Sequence, residues 1–176
     1  LATDLFMRQG YKQTSTRQIA KILNITQPAL YFHYRNKEDL YVEVILNFAE
    51  QIGEEFRTIL DKDESVEGTL LDMATVLKVK HPLNFLMMLH DLKHELSPDA
   101  QQKIYRVWLD NFYQPFDMVF ERMAPQLVKG YQASDVTKHF LRVIQSYVSN
   151  EEQYLYETPL ELKQIIDIFI RGVMMN

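Results

Sequence analysis

The stretch TSTRQIAKILNITQPALYFHYRNKEDL, residues 14–40, contains two short helical patterns joined by a turn and followed by the start of a third helix. Ser15 has a Gln three residues later, which is the capping-box spacing that opens a helix. Asn24 tolerates the left-handed backbone that a tight turn requires. Thr26 is a good N-cap for the second helix, and the Pro two residues later fits its first turn. We therefore predict a helix-turn-helix motif in this segment.

Charge is distributed unevenly along the chain. Residues 1–37 hold six basic residues and one acidic residue, 6 − 1 = +5, whereas residues 38–176 hold 13 basic and 23 acidic residues, 13 − 23 = −10. A basic region on an otherwise acidic protein is typical of a module that binds a polyanion such as DNA. Small charge asymmetries also arise by chance, so the charge supports the motif without establishing a function.

The composition indicates an all-helical globular protein. The 176 residues are 47% hydrophobic, which is enough to bury a core, and they include only 5 Gly and 6 Pro. No long alternating β-branched run is present, and no cysteine is available for a disulfide or a thiolate metal site. No apolar run is long enough for a membrane span and no signal peptide is visible, so we predict a cytoplasmic protein. Leu1 already lies inside a helical pattern, and we expect further residues before it.

Capping residues, Gly and Pro divide the chain into about nine predicted helices. The first is predicted to end with Gly10 as its C-terminal cap, and the long fourth helix is predicted to begin after Asn36. Pro115 lies inside the seventh predicted helix and should interrupt it. We predict two domains, a helix-turn-helix head at residues 1–46 and a helical body at residues 47–176.

The side chains of the motif suit contacts with DNA. Gln27, at the start of the second helix of the motif, can make a bidentate contact with adenine, and Arg17 can make one with guanine. The side chains that suit phosphate contacts are those of Thr16, Tyr31, His33 and Lys37. Any helical protein contains pairs of helices joined by a turn, so periodicity alone would be a weak indication.

Residues 1–46 resemble the DNA-binding domain of the TetR family of transcriptional repressors. The matching residues are Leu5-Phe6, Gly10-Tyr11, Thr14-Ser15-Thr16, Ile19-Ala20, Ile25-Thr26, Leu30-Tyr31, His33-Tyr34, Asn36-Lys37-Glu38 and Leu40. The resemblance covers about a quarter of the chain. It implies an all-α fold with a three-helix head, a linking fourth helix, and a body of five or more helices that binds a ligand.

Carried over by position, the resemblance implies which residues contact DNA. The implied contacts are Thr16 and Arg17, then Gln27, Pro28 and Ala29, and then Tyr31, His33 and Lys37. Asn24 stands where the family usually has Gly, and the turn should tolerate this departure. Ala29 stands where many members have Gly or Thr, so a hydroxyl contact is absent there and the operator sequence stays open.

The last two predicted helices, about residues 135–149 and 159–176, carry more apolar residues than one buried stripe requires. We predict that they pair with their copies in a second subunit as a four-helix bundle, giving a homodimer suited to a palindromic operator. The predicted interface residues are Phe140, Ile144, Tyr147, Leu162, Ile166, Phe169 and Val173. The alternative is that the final helix is central in a monomer core.

Met and aromatic side chains in the fourth to seventh predicted helices could enclose an effector, as the resemblance implies. The candidates are Phe56, Met73, Leu77, Phe85, Met88, Leu89, Tyr105, Trp108 and Phe112. Tyr105 and Trp108 are preferred because each has a polar group in an apolar helix, although any one of these residues could simply belong to the core. We predict a repressor that leaves its operator when a small hydrophobic or amphipathic effector binds the body.

One cluster favours a different class of protein. His90 and His94 are four residues apart on one helix, which is a spacing suited to a metal, and His81 or Glu95 could supply a third ligand. The pattern resembles a zinc hydrolase motif in which Asp91 would be a poor general base. Polar residues on a surface helix explain the cluster better, so a metal sensor or hydrolase is the alternative. We predict no enzyme activity, no metal and no cofactor.

Overall fold

The structure, a computed structural model, describes residues 1–62, 64–80, 85–148 and 161–175. The predicted all-helical fold is confirmed. The helices are α1 (Ala2–Gln13), α2 (Thr16–Ile22), α3 (Gln27–His33), α4 (Lys37–Leu60), α5 (Val66–Thr75), α6 (Phe85–His94), α7 (Pro98–Trp108), α8 (Gln114–Glu121), α9 (Ala133–Val148) and α10 (Leu162–Val173). Within these ranges, none of the helices has the length and apolar character needed to cross a membrane.

Two π-helical segments extend the regular helices. One covers Val76–Lys80 and continues α5, and the other covers Leu109–Tyr113 and joins α7 to α8. Pro115 lies in the first turn of α8, immediately after the second segment. Because proline has no N–H to donate, the regular helical hydrogen bonding is interrupted there, as predicted.

The chain divides into two compact units. The first unit comprises residues 1–51 and 84–109, and the second comprises residues 52–83 and 110–176. The boundary predicted after residue 46 lies within α4, which contributes residues to both units.

The predicted caps of the motif are present in the first unit. Ser15 and Gln18 form a reciprocal capping box at the start of α2, and the Thr26 side chain accepts from the N–H of Ala29 at the start of α3. Asn24 has a φ of 53°, so it takes the left-handed conformation that the turn requires. Gly10 differs from the prediction, because α1 continues to Gln13 across a kink at which Gly10 has a φ of 77°.

An aromatic cluster forms the core of the second unit. The Phe140 ring lies 5.6 Å from the Phe116 ring, 5.4 Å from the Phe120 ring and 5.2 Å from the Phe169 ring, measured between centroids. Phe56 extends the cluster through a contact with Phe116 at 5.3 Å. Such aromatic pairs contribute about 0.5–1.5 kcal/mol each beyond the area they bury. The cluster ties α4 and α8 to α9 and α10.

Candidate nucleic-acid interface

Helix α3, the second helix of the predicted helix-turn-helix motif, exposes a short face to solvent at its N-terminal end. Leu30 is 2% exposed and anchors the helix, whereas Pro28 and Ala29 are exposed and Gln27 is partly exposed. Arg17, in the first turn of α2, is also exposed. The structure therefore leaves the side chains that could reach base edges accessible from solvent.

Three residues that were predicted as separate DNA contacts form one hydrogen-bonded group. The Gln27 Nε2 donates to the Thr16 Oγ1 at 3.0 Å, and the Thr16 Oγ1 lies 3.0 Å from the Tyr31 hydroxyl. Thr16 is only 8% exposed, whereas Tyr31 is exposed. Thr16 is therefore better placed to hold its neighbours than to bind a phosphate itself.

Lys37 lies beside α1 at the start of α4. Its ammonium group is 4.2 Å from the centroid of the Tyr11 ring and 3.4 Å from the carbonyl oxygen of Lys12, to which it donates. Burial lowers the pKa of Lys37, and the neighbouring Asp91 and Glu95 carboxylates oppose this shift. These contacts fix the position of the cation relative to α1.

Phe32 is an exposed aromatic residue that the sequence analysis did not select. It is 87% exposed and its ring meets the ring of His33 edge-on at 5.4 Å. Helical geometry could have revealed it, because a residue two positions after the buried Leu30 lies about 200° around the helix. Phe32 therefore adds apolar surface to the exposed side of α3, beside the predicted contacts Tyr31 and His33.

A buried carboxylate attaches α6 to α1 and α4 within the first unit. Asp91 is 3% exposed, and its Oδ2 accepts from the backbone N–H of Tyr11 at 2.7 Å and from the Tyr41 hydroxyl at 3.3 Å. Burial, followed by the charge of Asp91, raises the pKa of Tyr41 well above its ordinary value. The Tyr41 hydroxyl therefore stays protonated and available as a donor. This cluster joins α1, α4 and α6.

A second polar connection lies at the start of α7. The Glu38 carboxylate accepts from the backbone N–H of Ser97 at 2.8 Å and from the Ser97 hydroxyl at 2.7 Å. Nearby, the Lys12 ammonium lies 3.7 Å from the Glu95 carboxylate. Since exposed ion pairs contribute little, the bonds of Glu38 to Ser97 are the stronger part of this connection.

The predicted effector residues are divided between the two units. Phe56, Met73, Leu77 and Phe112 are buried in the second unit, and Met88 and Trp108 are buried in the first. Leu89 and Tyr105 are 45% and 60% exposed, so the expectation that they face an enclosed interior is not met. The buried face of α7 contains Ile104 and Trp108, so Tyr105 lies on the exposed face. The side chain of Phe85 lies outside the described residues.

The residues predicted to form the dimer interface differ in burial. Phe140, Ile144 and Ile166 are buried in the second unit, because this face of α9 and α10 packs on α8 and α5. These three side chains are therefore core residues of their own chain rather than free interface residues. The others, Tyr147, Leu162, Phe169 and Val173, are partly exposed. Among the side chains of these two helices that the structure describes, the more exposed aliphatic ones are Val143 and Ile168.

The histidine pair does not form a metal centre with the other described residues. The rings of His90 and His94 are 4.8 Å apart between centroids, and both residues are exposed. Asp91 is buried in its contacts with Tyr11 and Tyr41, and within the described ranges there is no group of three or more potential metal ligands. His81 lies outside those ranges. Within the described residues, the histidine pair therefore has no third ligand that would favour the hydrolase or metal-sensor alternative.

A helix-turn-helix whose second helix is exposed, on a basic N-terminal segment and followed by a helical body, is typical of helix-turn-helix regulators. Residues 1–44 match the family model of the bacterial regulatory proteins of the tetR family. The head of this chain therefore belongs to the TetR family, as the resemblance implied. The family consists of regulatory proteins, in agreement with the prediction that the chain is not an enzyme.

Individual relatives agree with this assignment. The chain is 30% identical over 99 residues to the transcriptional repressor KstR2 of Mycolicibacterium smegmatis, an alignment that covers 55% of this chain and 48% of that protein. The chain spans less than two thirds of the length of the curated relatives it matches, at most 60%.

Solved structures share the fold over almost the whole chain. A TetR transcriptional regulator from Legionella pneumophila superposes with a TM-score of 0.76 at 18% identity, covering 98% of this chain and 92% of that one. The protein AibR, whose structure is a complex with isovaleryl coenzyme A and operator DNA, superposes with a TM-score of 0.65 at 19% identity, covering 98% of this chain and 94% of that one.

Proposed function

We propose that this protein is a ligand-responsive transcriptional repressor that binds a palindromic DNA operator as a homodimer. The observation that carries the proposal is the start of α3, where Gln27, Pro28 and Ala29 are accessible within residues 1–37, which have a net charge of +5. A bidentate Gln27 contact would select adenine, and the exposed Arg17 would select guanine. Tyr31, His33 and Lys37 would hold the head on the phosphates.

The body is proposed to bind a small hydrophobic or amphipathic effector. The buried aromatic cluster of the second unit supplies an apolar environment. Two buried oxygens, Oδ1 of Asp117 and Oγ1 of Thr137, have no hydrogen-bond partner among the described residues. Buried polar atoms are normally paired, so these two oxygens suit a ligand that carries a polar group on an apolar frame. AibR, which shares the fold, binds isovaleryl coenzyme A, a molecule of this amphipathic kind.

Effector binding and DNA binding are proposed to be coupled through a shift in the populations of two conformational states. Asp91 and Glu38 tie α6 and α7 to α1 and α4, so a displacement of α6 would carry the head with it. An effector that favours the displaced state would re-space the two heads of a dimer and weaken operator binding. It can do so only by as much as its affinities for the two states differ.

The DNA proposal is tested by selecting duplexes from a random-sequence library with the purified protein and measuring affinity against salt. We expect a palindromic site with a steep salt dependence. Gln27→Ala should then lose about 1–3 kcal/mol of preference at one base pair of each half-site. Lys37→Met, the control, should weaken binding to every sequence and reduce the salt slope by about one. Sequence-independent binding by the unaltered protein would refute the proposal.

The dimer is proposed to form through the exposed faces of α9 and α10. Val143 and Ile168 are 40% and 58% exposed, and Gly172, one turn after Ile168, leaves open space around its Cα. We expect Ile168→Glu to yield a folded monomer in sedimentation velocity at micromolar concentration, because two carboxylates would be buried against each other at a two-fold contact. Tyr105→Glu, an exposed position on α7, is the control and should remain dimeric. A dimeric Ile168→Glu protein would place the interface elsewhere.

A further inference from the structure

The hydroxyl of Thr16 lies between a residue proposed to read a base and a residue proposed to bind a phosphate. Gln27 Nε2 donates to it at 3.0 Å, and the Tyr31 hydroxyl lies 3.0 Å away on the other side. Thr16 is 8% exposed in the first turn of α2, while Tyr31 is 44% exposed. The group therefore extends from a sheltered hydroxyl to two side chains that reach solvent.

The number of protons in this group restricts its orientation. A threonine hydroxyl has one proton to donate and two lone pairs that accept, and a tyrosine hydroxyl has one proton as well. Phosphate oxygens only accept, so Tyr31 must give its proton to a phosphate when it binds one. The bond between the two hydroxyls then requires Thr16 to donate to Tyr31. With its proton used, Thr16 can only accept from Gln27.

This polarity decides which end of the Gln27 amide faces a base. The NH₂ group has two protons, so it can donate one to Thr16 and the other to a base, while Oε1 remains available as an acceptor. Adenine offers N7 as an acceptor and its N6 amino group as a donor, which matches that arrangement. An amide free to turn over could present either order of donor and acceptor.

We propose that Thr16 is a positioning residue through which the phosphate contact of Tyr31 sets the orientation of the Gln27 amide. Base preference at one position then depends on a backbone contact made by another residue. The inference rests on the proposed function, since it concerns how the repressor recognises its operator.

The test uses the full chain and the DNA site that it selects. The base pair read by Gln27 is first identified as the one at which Gln27→Ala loses discrimination. At that base pair we expect the preference of the unaltered protein, about 5- to 150-fold for a bidentate contact, to fall to about threefold or less in Thr16→Val. Thr16→Ser keeps the hydroxyl and should keep the preference.

Two further variants distinguish the proposed effect of Tyr31 and Thr16 on the Gln27 amide from a general loss of DNA affinity. Tyr31→Phe should lower the preference at the same base pair, because it removes the partner that takes the Thr16 proton. His33→Ala, a proposed phosphate contact outside the group, should weaken binding to all sequences and leave the preference unchanged. Because Tyr31 is exposed, Tyr31→Phe should leave the fold intact. It therefore tests the proposed role of Thr16 even if Thr16→Val lowers the melting temperature measured by circular dichroism.

The possible failures are distinguishable. If folded Thr16→Val and Tyr31→Phe proteins retain the preference at the Gln27 base pair, Thr16 does not set the orientation of the amide, and the DNA-binding function stands. The same conclusion follows if these variants weaken discrimination equally at every base pair. If the unaltered protein selects no sequence, the proposed function fails and this inference fails with it.

Discussion

Replacing Asp91 with alanine is expected to lower the free energy of unfolding by about 3–5 kcal/mol, because the change leaves one buried and one part-buried donor without their acceptor. The backbone N–H of Tyr11 and the hydroxyl of Tyr41 both donate to Oδ2 of Asp91. Tyr41 is 1% exposed, so water cannot readily replace the lost partner.

Urea unfolding followed by helical circular dichroism measures this effect. Asp91→Asn is the informative second variant, since its amide oxygen can still accept and should recover part of the loss. His90→Ala changes the exposed neighbour on α6 and should stay within about 0.5 kcal/mol of the unaltered protein. A loss below about 1 kcal/mol for Asp91→Ala would mean that the two donors find other partners.

Replacing Gly53 with alanine is expected to lower the free energy of unfolding by about 2 kcal/mol, although alanine is normally the better helix former. A Cβ at Gly53 would overlap Oδ1 of Asn111 and lie 2.7 Å from its Cβ. Asn111 belongs to the π-helical segment before α8, and its Oδ1 accepts from Arg57 at 3.1 Å. Its Cβ cannot move away unless the segment moves, so the contact cannot be relieved by a side-chain rotation alone.

Gly68→Ala is the matched control for this prediction. Gly68 also lies inside a helix, but its nearest contact would be the end of the flexible Glu64 side chain at 3.3 Å. We expect Gly68→Ala to be neutral or to stabilise the protein by up to about 1 kcal/mol. Adding Asn111→Gly to Gly53→Ala should restore part of the loss, with a coupling of about 0.5–3 kcal/mol in a double-mutant cycle. A stabilising Gly53→Ala would show that the π-helical segment shifts at little cost.

The sequence by itself determined where α2 and α3 begin and the conformation of the turn between them. The Ser15–Gln18 capping box, the left-handed Asn24 and the Thr26 cap all form as predicted. Each depends on residues no more than four positions apart, so their spacing is enough to specify them. The family of the head followed from the same residues for the same reason.

The sequence could not decide which face of a strongly apolar helix turns inward. In α9 and α10 the apolar residues cover more than one face, and only packing against α8 and α5 buries Phe140 and Ile166 and leaves Ile168 exposed. The predicted interface therefore mixed core residues with surface residues.

Tertiary structure alone also decided which polar groups meet. Asp91 is 80 residues from Tyr11, and Thr16 meets Gln27 and Tyr31 only because α2 and α3 cross. A capping box depends only on residues that are close in sequence. A contact between groups far apart in the chain depends on how whole helices pack, and local residue spacing does not specify that packing.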